Sequence, residues 1–315
     1  MLSKEDNEFF TRIGPGTLMG DLIRQYWLPA VLSAELASPD CPPLRLRLLG
    51  EDLVAFRDSE GRVGLVSNFC VHRGASLYFG RNEQGGIRCV YHGWKYDVSG
   101  SCIDMPNEPP ESNFKDKIRI AAYPCRERNG LIWAYMGPLN PAPELPDFEF
   151  NLVPETHSYT SKRWQYCNWT QALEGGLDSS HVAFLHSRFN ASDKELTPEE
   201  RLDKWRSMDR WQRFEVVDTD FGIYVGKVSP YDAERDSWGI TPFMMPFWKW
   251  LPRGPRPQRT APPVSTSEST RGSMGGSLIS GHAWVPIDDE NTMCWSISYH
   301  PLRALEEEEI HDHRR

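Results

Sequence analysis

Two short stretches of this sequence carry a thiol and an imidazole at close spacing: Cys70-x-His72 in CVHRGAS and Cys89-x-x-His92 in CVYHGWKYD. Sixteen residues separate His72 from Cys89. Two such halves, each on a hairpin tip, could clamp a metal centre between them. Zinc is one occupant, because two cysteines and two histidines suit a tetrahedral ion. In zinc fingers, however, the cysteines come close together and the histidines follow. Here each half is mixed. That suits a [2Fe–2S] cluster with both cysteines on one iron and both histidines on the other, a ligation that raises the reduction potential. Gly74, Gly85, Gly86 and Gly93 would let backbone N–H groups approach the sulfurs. The bland alternative is four scattered core residues.

A second set stands in NWTQALEGGLDSSHVAFLHS: Glu174, Asp178, His181 and His186. Two histidines and a carboxylate, with open positions left over, make the facial triad of non-haem Fe(II) oxygenases. The spacing needs help, because five residues turn an α-helix by about 500° and leave the two histidines about 140° apart. A π-bulge or break near residues 182 to 185 would bring them together. Asp178, three residues before His181, could accept the free ring N–H and fix the tautomer. The competing reading is an amphipathic helix with two partly exposed histidines. Glu174 reads equally well as a solvated carboxylate.

The elements that must position these groups change type along the chain. Residues 3 to 27 read as one or two short helices, with Ser3-x-x-Asp6 as a start signal. From about residue 44 the pattern is strand-like, with turns at Ser59-Glu60-Gly61 and Ser99-Gly100. The proline-rich GPLNPAPELP, residues 137–146, reads as a boundary. Beyond it come a helical stretch from about Asn168 to His186 and two strand pairs, around Phe221-Gly222 and around the turn Asp288 to Asn291. The fold class is α+β. We expect an N-terminal helical segment (1–39), a small all-β domain (40–145) and an antiparallel-sheet domain (146–315). Residues 252–277, rich in Pro, Arg, Ser, Thr and Gly, read as a flexible insert, and the charged end ALEEEEIHDHRR as a solvated tail.

With 35 basic and 44 acidic residues the net charge is −9, which argues against a nucleic-acid partner. No apolar run reaches the ~18 residues of a membrane span, and MLSKEDNEFF lacks the apolar centre of a signal peptide. The expected location is the cytoplasm. Seven widely spaced cysteines do not suggest a disulfide framework, and the five outside the CxH and CxxH pairs read as small buried residues.

The first constellation closely resembles the Rieske domain: the CxH, the sixteen-residue gap, and CVYHGWKYD with Gly-Trp after its histidine. The whole chain resembles the Rieske non-haem iron aromatic-ring oxygenases. Asp178-x-x-His181-x-x-x-x-His186 matches their mononuclear iron signature. MLSKEDNEFFTRIGPGTLMGDLIRQYW and CNWTQALEGGLDSSHVAFLHS look like the phthalate 4,5-dioxygenase type of oxygenase component. The resemblance implies a Rieske [2Fe–2S] cluster on Cys70, His72, Cys89 and His92, and mononuclear Fe(II) on His181 and His186. It implies an antiparallel-sheet catalytic domain of helix-grip type. It also implies a homotrimer-based assembly, in which Asp178 links His92 of one subunit to His181 of its neighbour. A separate NAD(P)H-dependent flavin and iron–sulfur reductase would supply electrons. With O₂, such a component would dihydroxylate an aromatic carboxylic acid. A monooxygenase or O-demethylase of the same family is the alternative, and an electron-transfer-only or inactive Rieske protein a further one. The family's third iron ligand is an aspartate further along, which this chain does not reach. The catalytic domain is therefore expected to be incomplete; Asp288 and Asp289 fall in a hairpin turn and Asp312 in a charged tail, so none of them is the expected replacement ligand. Arg163 and Arg188 flank the iron helix and could meet a substrate carboxylate.

Overall fold

The computed structural model describes residues 2–185, 197, 212–230, 236–252 and 278–313. Two short helices open the chain, Lys4–Thr11 and Leu18–Ile23, and Ser3 caps the first by accepting from the Asp6 N–H. Strands follow in four antiparallel sheets. One carries Leu44–Leu48, Glu51–Arg57, Val63–Ser67 and Ala122–Tyr123. A second carries Arg81–Glu83, Gly86–Arg88, Lys95–Tyr96 and Cys102–Asp104. These two enclose a small core that includes Phe56, Val66, Ile87, Trp94 and Tyr96.

A third sheet was not expected. Trp27–Leu32 pairs with Leu131–Tyr135, which pairs with Cys125–Arg128. The sequence hid Trp27–Leu32 because its residues are almost all buried, so no alternation shows. Pro29 sits where the register shifts, an irregularity that accommodates its missing N–H.

The fourth sheet has seven strands, in the order Ser158–Gln165, Thr292–Tyr299, Ile279–Pro286, Trp248–Pro252, Asp236–Met244, Gly222–Pro230 and Arg213–Thr219. One core joins it to the third sheet: the Trp133 and Trp248 rings stack at 5.9 Å, with Phe150 beside both. Ion pairs Arg12–Asp289, Arg47–Asp288 and Lys162–Glu35 rim that junction. Asp288 and Asp289 thus answer arginines, and Asp289 also accepts from the Ile13 N–H.

The helix Trp169–Leu177 packs on this sheet. Asn168 caps its start, accepting from Thr170 N–H while donating to the Thr11 and Asp289 carbonyls. Gly176 lets the helix lie flat, since a Cβ there would stand 2.1 Å from the Trp284 ring. The continuous helix expected from Asn168 to His186 does not form. It ends at Asp178, whose backbone is extended, and a short turn restarts at Val182–Leu185. The break therefore precedes His181 instead of falling at residues 182 to 185. One cause is local: the Asp178 carboxylate takes the Ser180 and His181 N–H groups, which would otherwise continue the helix.

Candidate metal centres

The two ligand loops are built alike. Cys70 N–H donates to the Ala75 carbonyl and Cys89 N–H to the Trp94 carbonyl, each five residues on. Gly74 N–H returns to the Cys70 carbonyl and Gly93 N–H to that of Cys89. Both glycines have positive φ, 69° and 76°, the conformation that closes such a loop. Gly85 and Gly86 are not part of these loops. They turn the hairpin between Arg81–Glu83 and Gly86–Arg88.

The geometry brings the four sequence-named residues together. Cys70 and Cys89 are buried and free of disulfides. The His72 and His92 rings lie 4.4 Å apart, and His72 stacks on Trp94 at 4.5 Å, nearly parallel. Burial, then His92 and Arg73, hold His72 below the usual imidazole value, so the ring is neutral, as a ligand must be. Its Nδ1 is buried with no hydrogen-bond partner. Burial also raises the Cys89 thiol, although the Tyr91 and His92 N–H groups point at its sulfur and oppose that rise. A buried thiol of this kind ionises only against a strong positive charge, which iron supplies. Among the described residues, no three or more His, Cys, Asp or Glu side chains converge around a single ion. Cys89 hydrogen-bonds to Cys70 and the His72 ring neighbours that of His92, the pairing that a cluster with two cysteines on one iron and two histidines on the other would need.

Three contributors, Tyr96, Asn107 and Arg88, escaped the sequence reading, which took Trp94 only as part of the motif. The Tyr96 hydroxyl lies 3.2 Å from the Cys70 sulfur. The Trp94 indole N–H donates to Asn107 at 2.8 Å. Arg88 donates to the Gly93 carbonyl and to Asp104 and Glu83, all at 2.7 Å. Trp94 and Tyr96 stand two apart, so strand alternation could have put them on one face. For Asn107 and Arg88 the sequence holds no signal.

The second set is partly described. The Asp178 carboxylate Oδ2 lies 3.2 Å from His181 Nδ1 and accepts from the His181 N–H, while Oδ1 accepts from the Ser180 N–H and hydroxyl. These bonds, Ser180 foremost, hold Asp178 below the ordinary aspartate value. Glu174 is exposed on the helix. His186 and Arg188 lie outside the described residues, as do residues 253–277 of the insert. Asp312 falls in the helix Glu307–His313. Arg163 stands exposed on the strand Ser158–Gln165, opposite Cys294. Of the five remaining cysteines, Cys102 and Cys294 are buried, whereas Cys41, Cys125 and Cys167 are only half-buried. Cavities of about 320 and 210 Å³ lie along the junction with the seven-stranded sheet; Asp288 and Asp289 line the first, and neither is lined by Cys70, His72, Cys89, His92, Asp178 or His181.

Fold and loops together define a Rieske [2Fe–2S] domain joined to an antiparallel-sheet domain. Family comparison agrees: residues 26–124 match the Rieske [2Fe-2S] domain, and residues 134–253 match a domain described as LigXa C-terminal domain like. The chain carries a Rieske [2Fe–2S] domain and is similar to curated oxygenase subunits. It is 39% identical over 293 residues to the 3-chlorobenzoate-3,4-dioxygenase oxygenase subunit of Comamonas testosteroni, covering 93% of this chain and 62% of that one. It is 42% identical over 227 residues to the phthalate 4,5-dioxygenase oxygenase subunit of Pseudomonas putida, covering 71% of this chain and 51% of that one. The chain thus spans about half to three-fifths of the length of these curated relatives. Its fold is that of dicamba monooxygenase bound to 3,6-dichlorosalicylic acid, with a TM-score of 0.68 at 20% identity, over 93% of this chain and 82% of that one. Among the described residues, no helix is long and apolar enough to cross a membrane.

Proposed function

We propose that this chain is the terminal oxygenase component of a Rieske non-haem iron system, acting in the cytoplasm. It takes electrons from a separate NAD(P)H-dependent flavin and iron–sulfur reductase and uses O₂ to dihydroxylate the ring of an aromatic carboxylic acid such as phthalate. The observation that carries this reading is the Asp178 carboxylate at 3.2 Å from His181 Nδ1, at a helix end laid over the sheet. That contact fixes the tautomer with the proton on Nδ1 and leaves Nε2 as the ring nitrogen for a metal. Mononuclear Fe(II) held by His181 and His186 supplies the O₂ chemistry.

Residue charge supports an anionic substrate. On the face of the strands Ser158–Gln165, Trp248–Pro252, Ile279–Pro286 and Thr292–Tyr299 that carries the helix, the register brings Arg163, Lys249 and His282 beside Trp284 with no strand Asp or Glu among them, whereas Lys162 turns to the other face and pairs with Glu35. His282 and Ser296 face each other at 3.0 Å, and His282 and Trp284 share a face, the one on which the helix lies. A ring with a carboxylate suits such a mixed aromatic and basic lining.

Exposed Phe69, Val71, Val90 and Tyr91 surround the two cluster histidines. An apolar rim around a redox centre suits close docking, and a homotrimer would set it against Asp178 of the next subunit. The test is Asp178→Asn in the reductase-coupled system, with products from a panel of aromatic acids identified. The expected variant keeps cluster and about three irons per chain yet forms no product. A variant that forms product as the native chain does would refute the electron path, and a native chain with only about two irons would refute the mononuclear site.

A further inference from the structure

A lysine lies under the end of the helix Trp169–Leu177. Lys249 belongs to the strand Trp248–Pro252, where it stands opposite His282, and it is half-buried. Its ammonium donates to the Gly176 carbonyl. That carbonyl needs a partner. In a continuing helix it would accept from the Ser180 N–H, but the Ser180 N–H goes to Asp178 Oδ1 at 2.7 Å. Burial disfavours the charged ammonium, and the acid that acts against this is Asp178, two residues beyond the carbonyl it binds. The ammonium therefore sits where the negative end of the helix dipole and the Asp178 carboxylate both favour a cation.

We infer that Lys249 is a positioning residue of the Asp178–His181 site: by holding the Gly176 carbonyl it fixes where the helix stops, and so where the Asp178 carboxylate stands. The helix end has two ways to satisfy Gly176. Either Ser180 N–H returns to it and the helix runs on through Asp178, or Lys249 takes it and Ser180 is released to Asp178. Only the second leaves Asp178 extended and its carboxylate against His181 Nδ1. The consequence for a metal on His181 rests on the reading given under Proposed function. The positional claim does not.

The experiment compares the native full chain with Lys249→Met, which keeps length and loses charge, and Lys249→Arg, which keeps charge. With the Rieske cluster loaded, the second site is stripped and titrated anaerobically with Fe(II) alone. Hydrogen exchange of the Ser180 and His181 amides is followed in the metal-free state. The Lys249→Met chain should bind Fe(II) about tenfold or more weakly, the range for residues that orient metal ligands. Without the ammonium the helix end alternates between the two arrangements instead of holding one, so the Ser180 and His181 amides should exchange about tenfold faster, and the cluster spectrum should not change. The Lys249→Arg chain should recover most of both losses. Native exchange rates in Lys249→Met would overturn the inference, whatever the iron does. Should the native chain bind no Fe(II) at this site while Lys249→Met still exchanges faster, the iron reading falls and the positional role stands. A rate increase spread over the whole chain would mark general destabilisation and would also overturn it.

Discussion

The Tyr96 hydroxyl lies 3.2 Å from the Cys70 sulfur, and both are buried. Burial and that sulfur push the phenol well above its ordinary value, so it stays protonated. It is thus a donor toward the sulfur of a candidate cluster ligand. Hydrogen bonds to cluster sulfurs stabilise the reduced state, which carries more negative charge. Tyr96→Phe removes one such bond and keeps the ring. A hydrogen bond of about 1–1.5 kcal/mol corresponds to roughly 40–65 mV for a one-electron couple. The potential of the variant should fall by that order, as read by redox titration of the EPR signal. An unchanged potential would mean that the hydroxyl points its proton elsewhere.

Arg88 braces the second ligand loop. It precedes Cys89, is almost fully buried, and ties the Gly93 carbonyl to Glu83 and Asp104. The Arg88 bond, ahead of a weaker one from Arg81, holds Glu83 below the usual glutamate value. A carboxylate with a lowered folded pKa adds stability that is present above its unfolded value, about 4.3, and is lost as pH falls through the lower folded value. The brace should therefore hold through the ordinary glutamate range and fail below it. Glu83→Gln should shift acid loss of the cluster's visible absorption to higher pH. Coincident bleaching curves for the two proteins would exclude the brace.

The candidate cluster ligands could be named from the sequence because each half is local: Cys70 and His72, or Cys89 and His92, need only a tight loop to meet. Asp178 and His181 are three apart and were legible for the same reason. The position of the helix break was not. It depends on Ser180 turning to Asp178 and on Lys249, whose partner Gly176 is 73 residues away. Residue types alone cannot show such a contact. Trp27–Leu32 was missed for a different reason, since burial on both faces removes the alternation by which strands are recognised. The strand pairs around Gly222 and around Asp288 to Asn291 were visible from their β-branched and aromatic residues and from the turn residues between them.

Trp94 joins the two ligand loops. Its carbonyl closes the Cys89 loop, its ring stacks on His72 of the other loop, and Asn107 holds the indole N–H. Trp94→Leu removes the stacking partner and opens a cavity beside His72. Large-to-small changes of this kind cost about 3 kcal/mol or more in a packed core. The variant should still assemble the cluster but lose it several-fold faster to a chelator, with broadened EPR features from a less fixed imidazole. Asn107→Leu should show the same trend more weakly. A loss rate equal to the native one in Trp94→Leu would show that the loops hold each other without the indole.

Gly176 is the position where the helix Trp169–Leu177 touches the sheet most closely. Its helical backbone does not demand glycine. What demands it is the Trp284 ring, 2.1 Å from where a Cβ would stand. Trp284 is buried between the sheet and the helix, with His282 at 5.7 Å on the same face, so it has little room to yield. Alanine would raise intrinsic helix propensity by about 0.8–1 kcal/mol. Overpacking against a fixed ring costs about 1–3 kcal/mol, so the contact should win. Gly176→Ala is therefore expected to lower stability by up to about 2 kcal/mol in denaturant titration, the difference of those two effects. It should also push the helix end away from Lys249, so exchange at the Ser180 and His181 amides should rise more than elsewhere. The Rieske cluster, which draws on the separate core around Tyr96, should keep its spectrum. A gain in stability would mean that the ring moves aside and that propensity, not packing, governs this contact.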